Sequence, residues 1–391
     1  MAGDDVVLLA DGVLHAGALE RPGRIVVRDG RVIAIGSPPT GDGGDTRARP
    51  ERVSGIIAAG LVDMHAHGGG GANVGDVDRD PAAPLRVRSA HLAHGVTTQM
   101  ASLVTDTPDR LLSQVSALRD HVADGAFCGI HLEGPWLAVG RCGAHDPGLL
   151  RAPTRREVSA LLDAARGTIA MVTLAPELDG ALDAIAMLVD NGIRVAFGHT
   201  DATAEQTRAA IDAGATVATH LFNGMPPMHH RTPGPVAVAL ADSRVTVELI
   251  LDGHHVARDA AEVSRVVAGG RLALISDAMS AAAARDGRYR LGPHEVDVRD
   301  GVARVVGGNG SLAGSTLTLD AALARFAREH PVDLVAAHAS ASLIPARALG
   351  HPEWGEVTVG GAADLIVMNE QAQVLRVMSR GEWCDTARLG E

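Results

Sequence analysis

The residues best suited to chemistry recur at one kind of place, the C-terminal end of a short apolar run. One run ends in Asp63-Met64-His65-Ala66-His67 and is followed by Gly68–Gly71. Others end in His131-Leu132-Glu133-Gly134-Pro135, in Gly198-His199-Thr200, in Thr219-His220-Leu221-Phe222-Asn223 and in Ser276-Asp277-Ala278. On an extended strand, residues two apart point to the same side, so His65 and His67 share a face. A single histidine at a strand end is usually a polar residue satisfied by its neighbours. Core packing does not require imidazoles and carboxylates at the same end of successive runs, whereas a divalent metal site does, because it gathers N and O ligands from several strands. A Zn²⁺-like ion held there lowers the pKa of a water toward neutrality. A nearby carboxylate can take that water's proton and deliver it to a leaving group. Asp277 is the natural candidate for this proton transfer, the alternative being a helix-capping aspartate.

These residues need a frame that brings strand ends together. Eight apolar runs follow one another: Ile56–Met64, Val96–Val104, Cys128–Leu132, Ile169–Leu174, Val195–Phe197, Thr216–Thr219, Val245–Leu251 and Leu272–Ile275. Amphipathic stretches lie between them, among them Arg110–His121, Arg155–Ala165 and Ala204–Ala213, the last closed by Gly214. The alternation predicts an α/β fold, a (β/α)₈ TIM-like barrel, whose strand C-termini form the active face. Both ends of the chain read as strands instead: Val6–Leu9, Arg24–Val27 and Val32–Ile35, with a hairpin turn at Asp29-Gly30, then Asp364–Met368 and Val374–Met378, with a turn at 379–381. Gly41–Pro50 reads as a polar loop. The expected organisation is a small β-sandwich domain built from residues 1–56 and 356–391 around a catalytic barrel over 57–355.

Composition narrows the chemistry. The net charge of −12 argues against non-specific nucleic-acid binding. The 391 residues contain no lysine, which excludes Schiff-base catalysis and leaves Arg, His⁺, backbone N–H groups or metal to hold any anion. The three cysteines, Cys128, Cys142 and Cys384, show no C-x-x-C spacing, as expected of a reduced, cytoplasmic protein. The apolar run from Val6 to Ala10 is too short for a signal segment, and no stretch reaches the length of a membrane span.

The H-x-H pair with His199, His220 and Asp277 resembles the amidohydrolase superfamily. Many of its binuclear members bridge their metals with a carboxylated lysine. That subtype is excluded here, and Glu133 can take the bridging place. Glu133 and its surroundings narrow the resemblance to the N-acetylglucosamine-6-phosphate deacetylase family, through His131-Leu-Glu-Gly-Pro-Trp136, His220-Leu-Phe-Asn-Gly-Met-Pro-Pro227, Asp252-Gly-His-His-Val256, Leu312-Ala-Gly-Ser-Thr316 and Gly360-Gly-Ala-Ala-Asp-Leu-Ile-Val367. The resemblance covers essentially the whole chain. It implies that Glu133, His199 and His220 hold the main metal, with one or two ions per subunit, His65 and His67 being the place of a second, and zinc being the expected element. It implies Asp277 as acid/base and His145, next to Ala144, as the group that polarises the acetyl carbonyl. It places Asn223, Gly224 and Arg231 at the phosphate, and Asp252, His255, Leu312, Ala313 and Gly314 around the sugar. It also implies a homodimer that can share a phosphate-binding arginine across its interface. Cys142 falls in an expected lid loop, either as a lid residue or as a free thiol without a role.

Two rivals stand beside this reading. A cyclic-amide hydrolase or base deaminase would share the metal centre, but Asn223–Pro227 and Arg231 suit an anionic sugar better. A catalytically dead scaffold would have no reason to retain every ligand and Asp277. Three further features read as bland: His91 and His94 on an expected helix; His229 and His230, loop residues or extra phosphate contacts beside Arg231; and the glycine run at 68–71, which lacks the G-x-G-x-x-G context of a phosphate loop.

Overall fold

Gly60 separates two strands that the sequence joins. The continuous apolar run Ile56–Met64 hides a change of sheet: Glu51–Ala59 belongs to one sheet and Leu61–Asp63 begins another. The backbone passes so close to Thr97 at this point that a Cβ on Gly60 would lie 1.9 Å from Thr97 Oγ1, so only glycine fits. The structure is a computed structural model that describes residues 5–36, 50–307 and 310–385. The expected loop at 41–50 lies outside the described residues except for Pro50.

The chain divides into two compact units. One comprises Met1–Val62, His91–Thr98 and Leu319–Glu391, and the other comprises Asp63–Ala90 and Gln99–Thr318. In the first, seven strands lie in the order Glu382–Trp383, Val374–Ser379, Leu365–Met368, Glu51–Ala59, Val6–His15, Gly23–Arg28 and Arg31–Gly36, with Ala18–Glu20 paired to Val6–His15. N- and C-terminal strands are thus neighbours. The edge strand bridges back from Arg31 to Ala362, which folds the sheet around a core that includes Leu8, Ile25, Val32, Ile57, Leu365 and Met378. The Asp29-Gly30 turn joins Arg28 to Arg31 with both central residues at positive φ, the geometry of a two-residue type I′ hairpin.

The barrel strands are Leu61–Asp63, Val96–Leu103, Gly129–Glu133, Ile169–Leu174, Arg194–Phe197, Ala215–Ala218, Thr246–Ile250 and Leu272–Ile275, hydrogen-bonded in sequence order within one eight-stranded sheet. From the second strand onward each pair is parallel. A parallel bridge between Ala66 and Ala278, just past the first and last strands, brings the ends of the sheet together. These strands are buried on nearly every residue, which is why they read as continuous apolar runs rather than alternating ones. Side-chain caps start the intervening helices: Thr107 on Pro108–Ala123, Thr154 on Arg155–Ala165, and a Thr203/Gln206 capping box on Ala204–Asp212. One element has no counterpart in the sequence reading. An antiparallel three-stranded sheet, Gly287–Leu291, His294–Arg299 and Val302–Val305, follows the eighth barrel strand and packs Leu291, Val296 and Val298 against Met279 and Ala313.

Candidate active site

The loop ends of the barrel strands converge on the carboxylate of Glu133, which is only 3 % exposed. Its two oxygens face different partners. Oε2 lies 3.1 Å from His67 Nε2, 3.7 Å from His65 Nε2 and 3.4 Å from His145 Nε2. Oε1 lies 2.9 Å from His220 Nε2 and 3.2 Å from His199 Nε2. Within each half-site the imidazole nitrogens also crowd together: His65 Nε2 is 3.0 Å from His67 Nε2, and His199 Nε2 is 3.0 Å from His220 Nε2. Asp277 Oδ1 stands 3.5 and 3.6 Å from the His67 and His65 Nε2 atoms.

The outer ring nitrogens explain why the inner ones point to the centre. His67 Nδ1–H donates to the Ser102 carbonyl (3.1 Å) and His199 Nδ1–H to the Arg141 carbonyl (2.7 Å). His65 Nδ1–H donates to Glu248 Oε2 (3.2 Å). In the neutral ring each of these bonds leaves the lone pair on Nε2, facing the centre. His145 is the opposite case. Its Nδ1 accepts the Thr105 backbone N–H (3.3 Å), so its Nε2 carries the hydrogen and is a donor. Burial pushes the His145 pKa down to about 4, which keeps that ring neutral. Among the resemblance-implied residues it therefore suits polarisation of a carbonyl better than ligation. His131, in the same Glu133 motif, spends both nitrogens on Ser102 Oγ and Thr173 Oγ1 and is a packing residue.

The electrostatics favour a cation at the centre. Burial alone would lower the His65 pKa, but the charges of Glu133, Glu248 and Asp277 outweigh it and hold it well above the ordinary value. Burial alone would raise the Glu133 pKa, but His65 and the hydrogen bonds from His145, His199 and His220 hold it well below. A field that holds protons on buried imidazoles also attracts a metal ion. Paired Nε2 lone pairs on either side of a carboxylate fit one or two such ions, and the ligand atoms of His65, His67 and Glu133 all lie within 4.8 Å of one another.

Backbone geometry at the site is strained. His199, His220 and Asp277, each just beyond a barrel strand, all have positive φ (47°, 25° and 46°). Such conformations cost about 1–3 kcal/mol each and persist where surrounding contacts over-determine them. The bond from the Asp277 N–H to the His65 carbonyl (2.9 Å) and that from the Ser315 N–H to the Asp277 carbonyl (2.8 Å) are two of those contacts. At Gly224 a Cβ would approach His199 Nδ1 to 2.9 Å, so glycine lets this loop close over the ring.

The cluster opens into a cavity of about 310 Å³. Of the sequence-derived substrate residues, Ala144, His145, Asn223, Gly224, His255, Leu312 and Gly314 line it. Asp252 lies behind His255, whose Nδ1–H it accepts at 2.7 Å, and Ala313 is wholly buried. Burial alone would lower the His255 pKa, but its bond to Asp252 holds it above the ordinary value and favours an imidazolium at the cavity wall. Cys142 is half-buried beside the lining residue Gly143, and its carbonyl accepts the His145 N–H. Arg231 sits in the exposed stretch 229–232 and is not part of the wall, which contains no arginine among the described residues.

The sequence reading missed Glu248. This fully buried carboxylate on the seventh barrel strand receives both the His65 Nδ1–H and the His220 backbone N–H (3.1 Å) on Oε2, and so ties the two half-sites together. Its signal was a lone carboxylate within the apolar run Val245–Leu251. It also missed Val104 and Leu291, which complete the apolar part of the cavity wall.

If His65 and His67 are ligands, changing both to Ala removes one ion and leaves the one held by Glu133, His199 and His220. Elemental analysis of the purified variant checks this, and unchanged metal content would show that the pair does not ligate.

The sequence profile of the amidohydrolase family matches residues 56–384. An N-acetylglucosamine-6-phosphate deacetylase of Vibrio furnissii is 38% identical, the match covering 83% of this chain and 82% of the relative. An N-acetylgalactosamine-6-phosphate deacetylase of Escherichia coli is also 38% identical, over 85% of this chain and 88% of the relative. A solved structure of a mutant N-acetyl-D-glucosamine-6-phosphate deacetylase from Mycobacterium smegmatis, in complex with N-acetyl-D-glucosamine-6-phosphate, is 46% identical and superposes with a TM-score of 0.92, covering 97% of this chain and 99% of that one. The chain belongs to the amidohydrolase family and, within it, to the N-acetylglucosamine-6-phosphate deacetylase family.

Proposed function

We propose that this protein hydrolyses the acetamide of N-acetyl-D-glucosamine 6-phosphate to D-glucosamine 6-phosphate and acetate, in amino-sugar catabolism. The observation that carries the reading is the Glu133-centred cluster beside Asp277, at the floor of a cavity whose walls include Asn223, Gly224 and His255. Glu133, His199 and His220 would hold one divalent ion and His65 and His67 a second, zinc being the element we favour for imidazole and carboxylate donors. A bound ion supplies Lewis acidity, easing deprotonation of water and polarising the carbonyl. The chain does the rest. Asp277 accepts a proton and returns it to the departing amine, His145 Nε2–H donates to the acetyl oxygen, and the His255 imidazolium meets anionic substrate. Among the described residues no helix is long and apolar enough to cross a membrane, and we place the enzyme in the cytoplasm.

The test is acetate release from N-acetylglucosamine 6-phosphate, with its C4 epimer as competitor and with or without a chelator. Release that stops on chelation and returns with metal supports the reading. Preference for the epimer moves the substrate to the galactose series, and ring opening or ammonia release would favour another amidohydrolase.

The phosphate gives a sharper expectation. With no lysine in the chain and no arginine in the cavity wall among the described residues, we assign the fixed positive charge at the phosphate to Arg231, in a homodimer that shares this residue. Arg231→Ala should then lower kcat/KM for the 6-phosphate by roughly 10²-fold, the loss of a charge-assisted pair worth about 3 kcal/mol, and scarcely affect unphosphorylated N-acetylglucosamine. An equal fall on both substrates would mean that Arg231 supports the fold instead.

A further inference from the structure

A second cavity, of about 110 Å³, lies beside the active-site cavity, and His67, Val104 and Leu291 line both. The second cavity is not an extension of the metal site. Its far walls are polar and charged, with Asn73, Asp76, Arg79, Arg110 and Gln114 among them, and the buried oxygens Asn73 Oδ1 and Gln114 Oε1 have no partner there. Buried acceptors of this kind are satisfied by water, so the space is a solvent-filled chamber rather than packed core.

Apart from His67, the shared wall is apolar. Val104 and Ala144 pack against the cluster that contains Leu291, while Asn223, Gly224 and His255 make up a polar part of the cavity. Hydrolysis of an N-acyl sugar splits the substrate at the centre marked by Glu133, His145 and Asp277. The polar phosphosugar belongs with the polar groups, which leaves the apolar wall to the acyl tail.

We propose that Leu291 and Val104 are specificity-determining residues that limit the substrate to short N-acyl groups, and that cutting either back opens room for a longer acyl chain at the mouth of the chamber, where the wall is apolar. The proposal rests on the deacetylase reading. The chemistry is unchanged by chain length: water adds to the acyl carbon, the C–N bond breaks, and a carboxylate and the amino sugar leave.

The experiment compares N-acetyl, N-propanoyl and N-butanoyl glucosamine 6-phosphate on the wild type, Leu291→Ala and Val104→Ala, with thermal melts to confirm folding. A mismatched methylene in an apolar pocket costs about 10–200-fold in kcat/KM, so the wild type should fall by that order at each step beyond acetyl. Either truncation should raise the butanoyl-to-acetyl ratio by about tenfold or more. Two variants are used because Leu291→Ala opens a hole in a packed cluster, whereas Val104 is only packed against that cluster. A third change separates a merged cavity from general loosening. Gly75 lines only the chamber, and a Cβ there would meet nothing closer than Gln114 Nε2 at 3.4 Å. Adding Gly75→Val to Leu291→Ala should refill the chamber and cancel the gain on the butanoyl substrate while sparing the acetyl one. A wild type that treats all three substrates alike, or folded variants whose acyl ratios do not move, overturns the proposal. Absence of acetate release from the wild type overturns the deacetylase reading itself, and this inference with it.

Discussion

Glu133→Gln is expected to empty both half-sites at once and to lower kcat/KM by about 10³-fold or more. The reason is the position of the carboxylate between the two histidine pairs: Oε2 serves His65 and His67, Oε1 serves His199 and His220. An amide of the same shape has one acceptor oxygen and no charge, so it cannot bridge. Metal-ion catalysis is worth several kcal/mol of transition-state stabilisation, and each 1.36 kcal/mol is a factor of ten. Activity alone would not separate metal loss from misfolding, so the informative readout is thermal. Metal that binds only the folded state raises the melting temperature, and a chelator should lower it in the wild type. The Glu133→Gln protein should melt at a temperature that no longer responds to chelator. A variant that retains the metal content of the wild type would remove Glu133 from the ligand set.

How much of this site was legible in sequence depends on how each residue is presented. His65 and His67 stood out because a spacing of two keeps both on one face and no core needs two imidazoles there. Glu133, His199, His220 and Asp277 stood out because each ends an apolar run, and the barrel brings such ends together. Glu248 was hidden because it lies inside its strand, Thr246–Ile250, where its neighbours dominate the pattern. The break at Gly60 was hidden for a related reason: one apolar run serves two sheets, and only the approach to Thr97 shows where it changes. The inserted sheet at 287–305 did carry signals, the alternation of Val296 and Val298 and the Asp300-Gly301 turn, whose residues both have positive φ. They lie beyond the last of the eight barrel runs, where the alternation of runs and helices gives no place for a sheet. That insertion supplies Leu291, so the apolar wall of the cavity could not be read from the barrel pattern alone.

Asp277→Asn is expected to cost about 10²–10⁴-fold in kcat, the usual contribution of a general acid–base group, with metal content close to that of the wild type. The substitution is unusually clean at this position. Asp277 has a φ of 46°, and asparagine is among the few residues that accept the left-handed region readily. The bonds that hold the backbone there run from the Asp277 N–H to the His65 carbonyl and from the Ser315 N–H to the Asp277 carbonyl, and neither uses the side chain. Asparagine keeps the size and one acceptor oxygen beside His65 and His67, where Asp277 Oδ1 lies 3.5–3.6 Å from their Nε2 atoms. What it cannot do is accept a proton and pass it on. The loss should therefore appear in kcat with KM little changed, because the step removed belongs to the transition state and not to ground-state binding. A variant with near wild-type kcat, or one whose activity falls only in proportion to lost metal, would show that Asp277 acts as a ligand or a structural residue and that the proton is carried by another group.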